Sequence, residues 1–484
     1  MADIKQIQDG EKMTFRQQAA LTAKLSAPAI MAQLSTILMQ YIDASMVGRL
    51  GAEQSASVGL MNSSLWLFWG LCSMATMGFS VQVAHRLGGK QDEEARQVLR
   101  QGITSSLCFG AVLAAIGLAL SPMLPLWLGA DAAIAPDATL YFATFISALP
   151  VLTMNYLAGG MLRCAGNMKV PGFLNVAMCV LDVIFNFLLI FPTRTLEIGG
   201  FGFEMPGAGL GVLGAAIGTV AAECVCAGVM MWYLLCRQND LRLRGRPSGR
   251  FRPTRPVLKK AAKIAVPMTA EHAIFCGAQI MVTIIVAPLG VIAIAANAFA
   301  VTAESLCYMP GFGIGDAATA LCGQAYGAGR LRLVRSFCHI TTGMGMALMT
   351  LMAAVMFVFA PEMMSIMSPV PEIVEEGAAV LRIEAFAEPM YAASIVAYGA
   401  FVGVGDTLIP AVMNFGSIWL VRIPLAALLA PTMGLRGVWL AMCLELVFRG
   451  AIFLWRMASG KWLKAPSKTS ARPGEPLPVT TQVM

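Results

Sequence analysis

Residues that bend or end helices recur along this chain at a spacing of 239 positions, without a gap in either copy. Six proline or glycine pairs share the offset: Pro28/Pro267, Gly51/Gly290, Gly88/Gly327, Pro150/Pro389, Gly166/Gly405 and Pro171/Pro410. Four other residues recur with them: Lys24, Gln40, Leu50 and Asn175 as Lys263, Gln279, Leu289 and Asn414. Because chance rarely aligns so many helix-bending residues, the chain is predicted to be two copies of one structural unit.

The composition places both copies in a membrane. Of 484 residues, 57% are hydrophobic and 13% are charged, and the mean hydropathy is +0.71. A soluble globular protein would be nearer half apolar and a quarter charged. The chain is therefore predicted to be a polytopic membrane protein.

Twelve apolar stretches are long enough to cross about 30 Å of hydrocarbon, which takes roughly 20 residues each. They lie near residues 27–49, 58–84, 99–121, 138–162, 170–191, 210–236, 265–288, 292–326, 336–360, 377–402, 408–430 and 434–457. Each copy holds six of them, an even number, so both copies face the same way across the membrane. We predict an all-α integral membrane protein with twelve transmembrane helices in two pseudo-symmetric six-helix bundles, and a cavity between these lobes.

The predicted domains follow from this division. A cytoplasmic N-terminal segment (1–25) precedes the N-lobe (26–236), a basic connector (237–263), the C-lobe (264–457) and a disordered cytoplasmic tail (458–484). The segment FPTRTLEIGGFGFEMPGAG after the fifth helix has no counterpart in the second copy, and its glycines and prolines predict an external loop. The first 25 residues show no cleavable signal peptide.

Basic residues predict the orientation. With the N-terminus inside, the cytoplasmic segments carry 28 of the 34 Lys and Arg residues, and the outer side carries Arg49, Arg194 and Arg436. Both termini are therefore expected in the cytoplasm, as in a multi-pass protein of a bacterial-type inner (plasma) membrane. The net charge of +7 reflects this bias, so it predicts contact with anionic membrane lipids and no nucleic-acid binding.

Two absences limit the chemistry that the sequence allows. No GxxxxGK[ST] motif is present, so ATP is not expected to drive the protein directly, and an ion gradient must do so. The 12 Cys residues are scattered through apolar segments and suggest neither a disulfide framework nor a zinc site. No cofactor is expected beyond H+ or Na+ as a coupling ion, and the chain is not expected to be an enzyme.

Ionisable groups within helices mark where a gradient is sensed, because a charge at mid-bilayer costs on the order of 3 kcal/mol. Asp43 lies on the first helix, fifteen residues beyond Pro28. Asp182 and Asn186 on the fifth helix share one face at i, i+4, and Thr219 on the sixth helix can approach them. Asp43 and Asp182 with the neutral oxygens could hold Na+ as a metal site, or one Asp could bind a proton. The same group could instead only join helices by hydrogen bonds.

The second copy does not repeat these acids, since Val282 and Val421 stand at the equivalent positions. Its best candidate is Glu271 on the seventh helix, with His272 beside it as either a titrating or a packing residue. Its other intramembrane charges are Glu304, Asp316, Arg382, Glu384, Glu388, Arg422, Glu445 and Arg449. Glu445 and Arg449, at i, i+4, are expected to form a structural ion pair.

Between residues 24 and 457 the chain resembles the multidrug and toxic compound extrusion (MATE) family of secondary transporters. The resemblance is carried by Pro28, Asp43, VGRLG, RLGGKQDEEA, RCAGNMKVP, LDVIFNFLLIF and GAAIGT in the first copy, and by APLG, GQAYGAG and GVGDTLIP in the second. It implies two bundles that rock between inward and outward openings and export cationic amphiphiles in exchange for H+ or Na+.

The resemblance also implies residue roles. Asp43 would be the acid on which cation coupling is centred, Pro28 the residue at which the first helix bends, and Thr219 the hydroxyl of the sixth helix. Archaeal-type members place Asn before Asp on the fifth helix, whereas this chain reads Asp182 and then Asn186. Glu271 resembles the acid of the seventh helix, and Tyr391 stands near the place of an acid that some sodium-coupled members carry on the tenth.

We therefore predict a cation-coupled (H+ or Na+) antiporter that exports small cationic drugs or toxic metabolites by alternating access and is expected to be a monomer. A flippase for lipid-linked saccharides is an alternative, but it would need cationic residues where Asp43 and Asp182 lie. A major-facilitator exporter is a further alternative, although its characteristic loop after the second helix is absent. A channel would show a filter-like loop, and none is evident.

Overall fold

A computed structural model of the chain describes residues 2–9, 11–131, 134–198, 201–245 and 249–463. Most of the predicted disordered tail, from residue 464 onward, lies outside these residues. The helices that form the spans are, in chain order, Phe15–Gly48, Ala52–Gly88, Asp92–Leu120, Ala135–Ser147 with Leu149–Cys164, Lys169–Ile190, Gly211–Cys236, Arg255–Val286, Val291–Gly327, Leu331–Val358, Pro371–Glu384 with Glu388–Val404, Leu408–Ser417, and Ile423–Ser459. Short helices cover Ala2–Asp9, Leu124–Trp127 and Ala360–Met367.

These helices make twelve spans in the described part of the chain. Nine continuous helices and two bent pairs are long and apolar enough to cross a membrane. One of the nine, Leu408–Ser459, has 52 residues and would be about 78 Å long, more than two bilayer thicknesses. It is divided at Gly434, whose φ of 62° and ψ of −143° are not helical. The eleventh and twelfth spans therefore meet at Gly434, and the prediction of twelve transmembrane helices is confirmed.

The fourth and tenth spans are broken, whereas the sequence predicted single stretches. The fourth bends by 46° between Ala135–Ser147 and Leu149–Cys164, and the tenth bends by 59° between Pro371–Glu384 and Glu388–Val404. A proline stands at the start of the second helix of each pair, Pro150 and Pro389. Proline fits the first turn of a helix but lacks the N–H needed to continue one, so each break falls where the repeat places a proline.

The inserted segment after the fifth span is a β-hairpin. Strand β1, Pro192–Ile198, pairs antiparallel with strand β2, Phe201–Ala208, in a register that joins Ile198 to Phe201. The prediction of an irregular external loop missed these strands. The hairpin lies at the opposite end of the spans from the basic connector, and the two ends are called here the hairpin face and the connector face. The turns at 88–92, 164–169 and 327–331 lie on the connector face.

The two lobes are closed against each other at the connector face by a symmetric glycine contact. A Cβ on Gly88 would lie 2.1 Å from the Gln324 carbonyl oxygen, and one on Gly327 would lie 2.1 Å from the His85 carbonyl oxygen. Gly88 and Gly327 are equivalent under the 239-residue repeat, and so are His85 and Gln324. The second and eighth spans therefore cross backbone to backbone on the pseudo-symmetry axis, where no side chain larger than glycine fits.

Polar contacts reinforce this closure. The His85 ring nitrogen Nε2 lies 2.7 Å from the Gly403 carbonyl oxygen, and the Gln324 amide donates to the Cys164 carbonyl oxygen at 2.6 Å. One ion pair, Arg163 with Asp316 at 3.7 Å, joins the fourth span of the N-lobe to the eighth span of the C-lobe. A gap between the lobes can therefore open only towards the hairpin face in this conformation.

The N-terminal helix, Ala2–Asp9, bridges the two lobes on the connector face. Lys90, in the turn after the second span, contacts Asp9 at 2.5 Å. Arg330, in the equivalent turn of the C-lobe, donates to the carbonyl oxygens of Ile7 at 3.2 Å and Glu11 at 2.6 Å. Ile7 is fully buried. We call residues 2–13 the N-terminal strap.

Candidate functional site

Three spans of the N-lobe bring together the four polar residues that the sequence singled out. Asn186 lies at the centre of this N-lobe cluster, and its amide nitrogen Nδ2 donates to Asp43 Oδ1 at 2.9 Å and Asp182 Oδ2 at 3.1 Å. The same nitrogen is 3.4 Å from Thr219 Oγ1. Asp182 and Asn186 are fully buried, whereas Asp43 and Thr219 are partly exposed.

Glycines of the sixth span make this close approach possible. A Cβ on Gly214 would lie 2.4 Å from the Leu189 carbonyl oxygen, and one on Gly218 would lie 2.1 Å from Asn186 Oδ1. This Gly-x-x-x-Gly spacing lets the fifth and sixth spans pack backbone to backbone, as small residues do between membrane helices. The glycines therefore set how far Thr219 lies from Asn186.

The two carboxyl groups of the cluster both accept from Asn186 Nδ2 and lie close enough to each other to interact electrostatically. Two ionised carboxylates repel, so a hydrogen bond between them requires one proton. The amide of Asn186 turns its N–H groups to both acids, which is the favourable orientation because its oxygen would be repelled there. The cluster thus holds the elements of a shared-proton carboxyl pair.

Unpartnered oxygens remain in the cluster. Asp182 Oδ1 and Asn186 Oδ1 are buried and have no hydrogen-bond partner. Tyr141 of the fourth span lies close enough to interact electrostatically with both aspartates. Buried polar atoms normally have partners, so these two oxygens leave hydrogen-bonding capacity unfilled in the cluster. Na+ would require oxygen ligands, but the amide group that faces Asp43 and Asp182 presents nitrogen.

Pro28 lies within the first span, and the helix Phe15–Gly48 continues across it. The Pro28 carbonyl oxygen lies 2.7 Å from where a Cβ on Gly172 of the fifth span would be. Because Pro28 has no N–H, the helix that carries Asp43 lacks one backbone hydrogen bond at this position. The close contact with the fifth span lies at the same place, so this is where the helix bends most easily.

The C-lobe candidates lie at different places in the fold. Glu271 accepts hydrogen bonds from the Tyr398 hydroxyl at 2.6 Å and the Asn414 amide at 2.5 Å. His272 Nε2 lies 3.2 Å from the Trp66 carbonyl oxygen on the second span, so this side chain sits at the contact between lobes. Neither residue belongs to the N-lobe cluster.

The buried charges of the C-lobe are arranged around Glu445. Its carboxylate binds Arg422 at 2.6 Å and Arg449 at 2.7 Å and also accepts from the Ser417 hydroxyl. The expected pairing of Glu445 with Arg449 is confirmed, and Arg422 is a second partner. Glu384 and Glu388 are fully buried nearby, and none of their carboxyl oxygens has a hydrogen-bond partner.

Sequence reasoning missed Glu223 on the sixth span. Its carboxylate accepts from the Asn155 amide of the fourth span at 3.2 Å. The sequence does contain features that mark Glu223 as a candidate site residue. It is an acid within an apolar stretch, and it stands four residues beyond Thr219, on the same helix face.

Two repeated six-span lobes with the same orientation are an architecture of membrane transporters. The model of the MatE family matches residues 28–188 and 267–428, and its two matches start 239 positions apart. The chain therefore belongs to the MatE family, whose members are transporters and not enzymes.

Individual relatives agree over nearly the whole chain. A probable multidrug resistance protein NorM of Thermotoga maritima is 26% identical over 451 residues, covering 93% of this chain and 94% of the relative. Multidrug resistance protein MdtK of Yersinia pestis is 24% identical over 454 residues, covering 91% and 94%.

Solved structures share the fold. A MOP superfamily transporter from Pyrococcus furiosus, described by the reverse polarity of its binding pocket, has a TM-score of 0.85 at 19% identity, covering 96% of this chain and 99% of its own. An outward-facing multidrug resistance MATE family transporter has a TM-score of 0.83 at 20% identity, covering 91% and 96%.

Proposed function

We propose that this transporter exports small cationic organic compounds in exchange for protons that bind at the Asp43–Asp182 pair. The observation that carries the proposal is the N-lobe cluster, in which two carboxyl groups and one amide form a single hydrogen-bonded unit with no basic side chain. The relatives named as multidrug resistance proteins support a cationic drug or toxic metabolite as the substrate class.

The mechanism rests on competition for one negative charge. On the side where protons are abundant, the pair holds a proton, carries one negative charge less and attracts a cation more weakly. On the other side the proton leaves, and the acidic cluster attracts a cationic substrate. Because proton and substrate neutralise the same charge, binding of one favours release of the other, and exchange follows.

Opening and closing of the connector face would expose the cluster to the two sides of the membrane in turn. In the closed arrangement, the glycine contact and the Arg163–Asp316 ion pair seal that face, so the cluster would exchange protons with the hairpin face. The positive-inside bias supports a cytoplasmic connector face, with both termini inside a bacterial inner membrane. The closed state is then outward-facing, and one chain contains both lobes, so a monomer suffices.

The alternative of an anionic lipid-linked substrate is less well supported by the charges. The N-lobe cluster has acids and no Lys or Arg, while Arg422 and Arg449 in the C-lobe are both occupied by Glu445. A pyrophosphate group would need unpaired guanidinium or ammonium groups.

The test is efflux of a fluorescent organic cation from proteoliposomes under a pH gradient or a sodium gradient, applied separately. Asp43→Asn removes the charge but keeps the shape, and we expect gradient-driven efflux to fall at least about a hundredfold while the protein stays folded. Glu53→Gln, an acid at the exposed start of the second span, is the matched control and should transport normally.

Two results would contradict the proposal. Unchanged efflux by Asp43→Asn would remove this residue from coupling. Efflux driven by a sodium gradient alone, at equal pH on both sides, would replace the proton by Na+ as the coupling ion.

A further inference from the structure

A second carboxyl group lies in the N-lobe between the coupling cluster and the contact of the two lobes. The sixth span runs towards the connector face and ends at Cys236, so Glu223 lies about 6 Å nearer that face than Thr219. Its side chain points to the fourth span, where the Asn155 amide donates to Glu223 Oε1 at 3.2 Å. Glu223 is partly accessible, while Asn155 is more than nine-tenths buried.

The groups that surround Glu223 are almost all neutral. Cys72 on the second span and Tyr156 on the fourth interact with it electrostatically, as do Cys224 and Cys226 on its own helix. From the fifth span, Asp182 acts on it with like charge. Among the described residues, no ion pair joins Glu223 to Lys or Arg. The charge of Glu223 is therefore not balanced by a basic side chain, whereas the charge of Glu445 is.

A purely structural role explains this arrangement poorly. An acid within a membrane span that serves packing is normally paired and fully hydrogen-bonded, because an unbalanced charge there is costly. Glu223 has one amide donor, and Asn155 Oδ1, the other polar atom of that amide, is buried without a partner. The Glu223–Asn155 pair thus carries unfilled hydrogen-bonding capacity, as a site that binds a proton or water would.

The Glu223–Asn155 pair lies in a row of polar groups that crosses the N-lobe towards the connector face. Asp43 and Asp182 lie nearest the hairpin face, Glu223 follows one helical turn beyond Thr219, and Asn155 lies eight residues before Arg163. Arg163 in turn pairs with Asp316 across the contact between lobes. Glu223 therefore stands between the site where protons would bind and the seam that must open to release them.

We infer that Glu223 is a second proton-holding station, which receives the proton from the Asp43–Asp182 pair and passes it towards the connector face. This inference rests on the proposed function. The step moves one H+, through an intervening water molecule, from the protonated aspartate pair to the Glu223 carboxylate. The pair is left with two carboxylates, ready for a cationic substrate, and Glu223 is neutral beside Asn155 until the connector face opens.

The experiment separates proton movement from substrate movement in proteoliposomes. Glu223→Gln keeps the shape and the Asn155 contact but cannot carry a proton, and we expect pH-gradient-driven efflux and the accompanying proton flux to fall at least about tenfold. Exchange of labelled for unlabelled organic cation, with no pH gradient, needs no net proton transfer and should stay within about twofold of the original rate. Glu223→Asp should restore most of the proton flux, with a shifted pH profile.

The outcomes distinguish the inference from the function on which it rests. Normal pH-driven efflux by Glu223→Gln, while Asp43→Asn has lost it, would overturn the relay and leave the coupling site intact. Normal efflux by Asp43→Asn would overturn the proposed function itself. Equal loss of cation exchange and proton-driven efflux in Glu223→Gln, without rescue by Glu223→Asp, would show a structural role and also overturn the inference.

Discussion

The two lobes share one fold, but the N-lobe cluster and the Glu445 group of the C-lobe hold their acids in opposite ways. In the N-lobe, Asp43 and Asp182 are held by an amide and have no basic partner. In the C-lobe, Glu445 is clamped between Arg422 and Arg449. Unbalanced acids can gain and lose a proton, whereas a clamped ion pair is fixed, so the comparison supports the proposed coupling role of the N-lobe and a structural role for the Glu445 clamp.

Equivalent positions show how the difference arose. A cavity in the C-lobe is lined by Val282, Met442 and Leu446. Under the repeat, Val282 corresponds to Asp43, and the alignment of GVLGAAIGT with GLRGVWLAM pairs Met442 with Thr219 and Leu446 with Glu223. Apolar side chains thus replace each of these polar groups, and the polar lining of the C-lobe cavity, which includes Glu304, Tyr391 and Arg422, comes from other positions.

The π-helical turn Ile418–Arg422 accounts for one further difference. Gly214 contacts the Leu189 carbonyl oxygen, and its counterpart Gly437 contacts that of Leu429, an offset of 240 and not 239. A π turn inserts one residue, so beyond it Arg422 falls where Asp182 would map. The sequence alignment, which ignores this turn, placed Val421 there. A base therefore stands in one lobe where an acid stands in the other.

Removing the clamp of the C-lobe should have the largest effect. Glu445→Ala leaves two buried guanidinium groups uncompensated, and we expect the free energy of unfolding to fall by about 3–5 kcal/mol. Thermal unfolding in detergent measures this loss. Glu376→Ala, which breaks the partly exposed pair with Arg436, is the control and should cost less than about 1 kcal/mol. A stable Glu445→Ala protein that no longer transports would make the two lobes alike in function.

Disturbing the geometry of the N-lobe should come next. Gly218→Ala pushes a Cβ into Asn186 Oδ1, and we expect pH-driven efflux to fall about ten- to a hundredfold with the fold retained, because small displacements in a reacting group are costly. Gly228→Ala on the same span meets open space and should transport normally. Equal efflux by both variants would mean that the exact placement of Asn186 is unimportant.

Transplanting the acid between lobes should have a smaller effect. Val282→Asp adds a carboxyl group at the C-lobe counterpart of Asp43, in a cavity that Arg422 also lines, so the new acid would have a basic neighbour that the N-lobe cluster lacks. In the Asp43→Asn background we therefore expect efflux to stay within about twofold of the single variant. Restored pH-driven efflux would show that an acid in either lobe suffices.

The smallest expected effect is on pH-dependent stability at the connector face. The third span begins with Asp92, Glu93 and Glu94, and hydrogen bonds from Arg96 and Arg100 hold the pKa of Glu93 below its usual value. A lowered pKa in the folded state stabilises the protein above the ordinary glutamate pKa, and this contribution is lost as the pH falls through the lowered value. Because Glu93 is exposed, solvent screening limits the effect to about 0.5 kcal/mol.

Glu93→Gln should flatten this part of the stability profile in acid. The ninth span begins at the equivalent place with Leu331 and Arg332 and has no acid there. A substitution of Arg332 should therefore leave the dependence of stability on pH in acid unchanged. Identical acid profiles for the original protein and Glu93→Gln would contradict the assignment.

Local patterns explain how much could be predicted. Apolar runs gave the twelve spans, and the i, i+4 spacing put Asp182 and Asn186 on one face, because both depend on residues close in the chain. The breaks of the fourth and tenth spans lie at repeated prolines and could have been predicted with the same information.

Contacts between helices that are distant in the chain could not be predicted from local sequence patterns. The fit of Gly218 against Asn186 and the meeting of Asn155 with Glu223 depend on how the spans pack, over separations of 32 and 68 residues. The β-hairpin was missed because its glycines and prolines are also typical of irregular loops. Its stability comes from cross-strand pairing, which no single stretch of sequence displays.

The N-terminal strap has a consequence for the energetics of the whole cycle. Its ties to Lys90 and Arg330 fall on corresponding turns of the two halves, so any parting of those turns must first release a peptide that is not itself a span. Contacts of the strap with both lobes therefore bias the protein towards the closed arrangement. Sequence changes at the very start of the chain can retune that bias while leaving every membrane-embedded residue untouched.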